Sequence, residues 1–127
     1  MKNKILLFIL LVAFNVNGQQ KLYNIVFIKA HDVQAYDSYI KETFSKIHTN
    51  RIKEGKLLQW DVWKVVDNPQ EDFTHMVTYI FDMDKYPVES NTREYFDMTD
   101  KSWELMWNDI NEIRERVAQV KWIDLGS

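Results

Sequence analysis

The chain has no cysteine. That absence removes disulfide frameworks, thiolate metal sites, iron–sulfur clusters, a cysteine nucleophile and a cysteine-borne lipid anchor. Three glycines and two prolines in 127 residues exclude collagen, glycine-rich linkers and proline-rich low complexity. Basic residues are not in excess either: 16 Lys and Arg stand against 19 Asp and Glu, for a net charge of −3. A nucleic-acid binder normally shows a basic footprint, so no nucleic-acid partner is expected. No phosphate-cradling glycine loop and no Ser-His-Asp set with an elbow glycine occurs. What the chain has in quantity is apolar and aromatic: 46% hydrophobic residues, with five Trp, six Tyr and seven Phe. That is the composition and length of one globular domain.

The first residues read as an address. Lys2 and Lys4 precede ten unbroken apolar residues, Ile5 to Phe14, and Val16 and Gly18 stand at the −3 and −1 positions of a cut before Gln19. This is the layout of a secretory signal peptide, and ten apolar residues cover about half of a bilayer core. Residues 1–18 are therefore expected to be removed on export, to the periplasm or the medium, leaving residues 19–127 as a single domain with no membrane segment. Loss of Lys2 and Lys4 takes the charge to −5.

Leu22 to Ala30 is a short run of β-formers and reads as a strand. Asp32 is a suitable N-cap. From there Val33, Tyr36, Ile40, Phe44 and Ile47 recur at helical spacing, and Gly55 closes the helix behind Arg51 and Lys53. Leu57 to Val66 and Phe73 to Asp82 read as two strands joined by a polar turn. Pro87 and Asn91 to Phe96 are candidate short helical pieces. From about Thr99 a second helix carries Trp103, Met106, Trp107, Ile110 and Ile113 on one stripe, runs out near Arg116, and leads to a last strand, Val117 to Leu125.

The order is β-α-β-β-α-β, an α+β, ferredoxin-like arrangement: a four-stranded antiparallel sheet with two helices on one face. The other face of such a sheet is polar in a monomer. Here both faces carry large apolar groups: Tyr23, Ile25 and Phe27 oppose Leu22, Val26 and Ile28, and Trp60 opposes Trp63. Phe73, Val77, Tyr79 and Phe81 share one side, against Met76 and Ile80. A homodimer packing sheet on sheet would cover the surplus face.

With that element order, and with the stretch His48-Thr49-Asn50-Arg51-Ile52-Lys53-Glu54-Gly55-Lys56-Leu57-Leu58-Gln59-Trp60, in which a long helix ends in a basic turn and glycine before a Trp-bearing strand, the chain resembles the dimeric α+β barrel superfamily. Within it, the likeness is to small secreted bacterial proteins of the antibiotic-biosynthesis-monooxygenase-like type. The resemblance implies the dimeric barrel and a range of roles: cofactor-free oxygenases, haem-handling proteins, isomerase-like enzymes and proteins without known activity. Haem-degrading members carry a proximal histidine on the second helix, whereas this chain has no histidine from 83 to 127.

The candidate site follows from the titratable and aromatic residues. His48 adjoins the helix stripe, four residues after Phe44, and is a candidate base, as is His75 on the third strand. Arg51 and Tyr79 are candidate polar anchors, and Trp60 and Trp63 candidate walls, for a small apolar or aromatic ligand. His31 and Asp32 are neighbours that point apart. Three histidines at 31, 48 and 75 have no metal-ligand spacing, and Asp82, Met83 and Asp84 lack the calcium-loop glycine, so neither metal nor cofactor is expected. The two readings are a ligand-binding protein, catalytic as an oxygenase or isomerase, and a non-catalytic interaction protein with a filled core. A cavity reaching His48, His75 or Tyr79 favours the first.

Overall fold

The computed structural model describes residues 20–67, 72–86 and 92–125. The expected leader, Pro87 and most of the turn between the second and third strands lie outside them. The elements are β1 (Lys21–Ala30), α1 (Val33–Tyr39), a π-helical segment (Ile40–Phe44), α2 (Ser45–Lys53), β2 (Gln59–Lys64), β3 (His75–Asp82), a 3-10 turn (Arg93–Tyr95), α3 (Asp100–Ile113) and β4 (Arg114–Ile123). The sheet is antiparallel in the order β2-β3-β1-β4, which is the expected ferredoxin-like topology.

Local chemistry sets the boundaries. The Asp32 carboxylate accepts from Ala35 N–H at 3.0 Å and caps α1, and Thr99 caps α3 through Ser102 N–H. Gly55 takes φ +75, the left-handed turn that ends α2. The core lies between helices and sheet, with Val26, Ile28, Tyr36 and Val77 as one cluster and Ile47, Met106 and fully buried Ile110 as another.

Three expectations need correction. First, the helix after β1 is not one uniform α stretch. The π segment inserts an extra residue per turn, and this re-phases everything after it. From Tyr36, a period of about 3.6 residues brings positions near 43, 47 and 50 onto the sheet; one added residue shifts them toward 44, 48 and 51. His48 and Arg51 are accordingly buried, at 5% and 1% exposure.

Second, α3 stops at Ile113 and β4 begins at Arg114, three residues earlier than expected. The Ile113 carbonyl accepts from His31 and Asp32 N–H at 2.6 and 3.2 Å, so the chain must leave the helix there. A bulge follows: Phe27 pairs with Ala118 but Ile28 with Arg116, leaving Val117 as the extra residue. Strand alternation is thereby reset, and Arg114 and Arg116 share the helix-facing side with Gln119 and Lys121.

Third, β3 begins at His75, so the alternation does not extend to Phe73. That ring instead packs edge-on against Phe27, 4.8 Å away, on the far face. The far face carries Tyr23, Ile25, Phe27, Met76 and Ile80 in the middle, and Trp63, Val120 and Trp122 exposed at 56%, 40% and 51%.

Candidate functional site

A cavity of about 290 Å³ lies between the helical layer and the sheet. That is about ten waters' worth of liquid volume, at the small end of ligand pockets. Its floor is the helix-facing side of β1, β2 and β3, including Val26, Trp60, Val77 and Tyr79; its roof includes Phe44, His48 and Trp107. Basic side chains enter from two places, Arg51 from α2 and Arg114 with Arg116 from β4. No Asp or Glu lines it among the described residues.

His48 is held tightly. Its ring lies 4.9 Å from Trp60 and meets Tyr79 edge-on at 5.3 Å. Arg51 Nη1 sits 3.2 Å from His48 Nδ1. Arginine only donates, so Nδ1 is the acceptor and the ring proton resides on Nε2. Burial, reinforced by the nearby Arg51 charge, pushes the His48 pKa down to about 3. At neutral pH His48 is an uncharged imidazole whose lone pair is already engaged. This is the chemistry of a hydrogen-bond donor; a general base needs a free lone pair and a pKa near the working pH.

The two tyrosines are neutral too. Burial raises Tyr79 above the ordinary phenol range and pushes Tyr36 up to about 12. Arg114 is 7% exposed, with its guanidinium 5.7 Å from the Trp107 ring and Nη1 donating to Asn111 Oδ1 at 3.4 Å. Burial pulls the Arg114 pKa down. Arg114 Nε–H and Trp107 Nε1–H are buried without an acceptor among the described residues.

The expected site residues divide. Arg51, Trp60, Tyr79 and His48 converge on the cavity. Trp63 does not: one residue past Val62, it projects from the far face, where its indole N–H donates to Thr78 Oγ1 at 3.1 Å. His75 is also outside. It is 1% exposed, with Nδ1 2.7 Å from Thr74 Oγ1 and Nε2 2.8 Å from Asp37 Oδ1. Both nitrogens are engaged, so the ring serves as a strut between β3 and α1. For Asp37, burial raises the pKa, but hydrogen bonds from Lys64 and His75 outweigh it and hold the carboxyl below its ordinary value. Arg114, Arg116 and Trp107 were not expected at the site. The signal for the arginines was their two-residue spacing, which reads as strand only once α3 is known to end at Ile113.

Among the described residues no three His, Cys, Asp or Glu groups gather to hold a metal ion, and no helix is long and apolar enough to cross a membrane. His31 stays on the surface, 4.0 Å from Glu115.

No family model matches the sequence, and no curated protein is significantly similar to it. Solved structures are similar in fold. HapK from Hahella chejuensis is 14% identical, with a TM-score of 0.56 over 84% of this chain and 94% of that one. A dimeric protein of unknown function and ferredoxin-like fold from Bacteroides fragilis is 15% identical, with a TM-score of 0.51 over 83% of this chain and 94% of that one. At such identities the likeness is one of fold.

Proposed function

We propose that this chain is an exported, homodimeric, small-molecule-binding protein of the dimeric α+β barrel type, and that its cavity takes an aromatic or apolar compound. The cavity carries this reading: it reaches His48 and Tyr79, which a filled core would not permit, and its walls include the rings of Phe44, Trp60, Tyr79 and Trp107. Export rests on the leader-like residues 1–18. Self-association rests on the apolar far face, where Trp63, Val120 and Trp122 lie exposed, and on the dimeric Bacteroides fragilis protein of the same fold. Cofactor-free oxygenation or isomerisation is the chemistry that the antibiotic-biosynthesis-monooxygenase-like resemblance implies. In such chemistry His48 would act by donating through Nε2–H to a substrate oxygen, because Arg51 occupies Nδ1.

A native mass spectrum of the protein purified from its source tests the reading in one measurement. The expected species is a dimer of chains beginning at Gln19, with an added small-molecule mass that is lost on denaturation. A monomer that retains residues 1–18 and carries no added mass would overturn it.

A further inference from the structure

The aromatic walls say what the body of a ligand looks like; the β4 end of the cavity says what its head must be. Trp107 and Arg114 lie side by side there, each with a buried N–H that no described residue accepts. Buried donors in folded proteins nearly always have partners, and an exception marks a missing water, ion or ligand. Both donors line the cavity, and both also border a shallower recess shared with Asn111, Glu115 and Arg116. The β4 end is therefore where the cavity meets this recess, and Arg116 stands exposed beside it.

The polar groups here are almost all donors. Arg114 and Arg116 share one face as alternate strand residues, and the bulge at Val117 makes that the helix-facing one, together with Gln119 and Lys121. The Tyr36 hydroxyl, also on the cavity, lies against Arg114. Glu115 is the one acid bordering the recess among the described residues; it lies between the two arginines in sequence, and its carboxylate is 4.0 Å from His31. A water could satisfy one donor, but a neutral ligand would leave the Arg114 charge buried and uncompensated, an expensive state. A carboxylate, enolate or phenolate oxygen supplies both the acceptors and the charge.

We infer that the ligand is an aromatic organic anion, its charged oxygens on Arg114 and Trp107 and its ring system extending toward Trp60 and Tyr79. This rests on the small-molecule reading above and adds the charge and orientation of the bound compound.

The test compares two probes of equal shape, 1-naphthoate and 1-naphthamide, by titration calorimetry on the chain 19–127. The expected result is that naphthoate binds at least tenfold tighter. Arg114→Gln and Trp107→Phe should each erase most of that preference, bringing the ratio of naphthoate to naphthamide affinity to within about twofold of one. Trp107→Phe keeps the ring and guards against a variant that fails to fold, which circular dichroism would reveal. Equal or tighter binding of naphthamide overturns the anion inference and leaves the cavity reading standing. Binding of neither probe overturns both. A naphthoate preference untouched by either substitution places the anion elsewhere and overturns the assignment of its head group.

Discussion

Arg51 Nη1 donates to His48 Nδ1 across 3.2 Å, one helical turn apart, and so fixes both the tautomer and the charge of the histidine. A residue that the sequence offers as a base is thereby made a donor. Burial of the ring, reinforced by the Arg51 charge, gives the fold a pH dependence. In the unfolded chain a histidine titrates near 6.5; in the fold His48 is held down to about 3. A lowered folded pKa means that the unfolded state binds the proton first. The stability from neutral His48 is thus complete above the unfolded pKa and is lost as pH falls from about 6.5 toward 3. Between pH 7 and pH 5 the loss should be about 2 kcal/mol. Urea unfolding should show the midpoint falling over that interval, and His48→Gln should remove most of the fall. An unchanged pH profile in that variant would mean that His48 is not buried as described.

Asp37 should matter to stability and not to binding. It accepts from His75 at 2.8 Å and from Lys64 at 2.7 Å. Removing the acceptor from a fully buried ring is costly, whereas removing a half-exposed lysine is not. Asp37→Ala should destabilise by about 1–3 kcal/mol, and Lys64→Met by under about 1 kcal/mol. Denaturant midpoints measure both. Neither change should shift naphthoate affinity, because His75 lies outside the cavity; a large loss of affinity would return His75 to the site.

The far face of the sheet should be buried by a second copy. Trp63, Val120 and Trp122 are exposed around a central patch that includes Tyr23, Ile25 and Met76. An obligate interface over such a face buries about 2,000 Å² or more in total. Light scattering at micromolar concentration should give twice the mass of the chain 19–127, and Trp63→Lys with Val120→Lys should halve it. A wild-type monomer under those conditions would sink the idea.

The topology was legible because strand and helix periods differ so plainly: Val26 and Ile28 alternate, while Tyr36, Ile40 and Phe44 do not. Trp60 and Tyr79 could be placed together because they occupy ordinary strand positions with one inward face. Arg114 and Arg116 were harder for a physical reason. They lie on a strand because α3 stops at Ile113, and they face the helices because of the Val117 bulge, and an inserted residue leaves no trace in composition or local propensity. Trp63 misled for the opposite reason. It is aromatic and close to Trp60 in sequence, yet strict alternation sends it to the other face.

If the π segment absorbs one extra residue and so aims His48 and Arg51, removing that one residue should keep the cavity, and removing two should disarm it. Lys41 and Glu42 are exposed within Ile40–Phe44, so their side chains contribute little packing. Deleting Glu42 alone converts the wide turn to α geometry, and His48 and Arg51 then take the inward positions of the uninterrupted period of about 3.6 residues. Deleting Lys41 and Glu42 together removes one residue more than the π segment added and rotates everything downstream by about 100° relative to α1, so that His48 and Arg51 swing off the sheet. Helix content by circular dichroism should stay nearly constant in both. The single deletion should keep naphthoate binding, whereas the double deletion should lose it and fall in stability by about 2–5 kcal/mol, as for loss of a large buried side chain. A single deletion that abolishes naphthoate binding, or a double deletion that keeps it, would show that the π segment does not set the direction of His48 and Arg51.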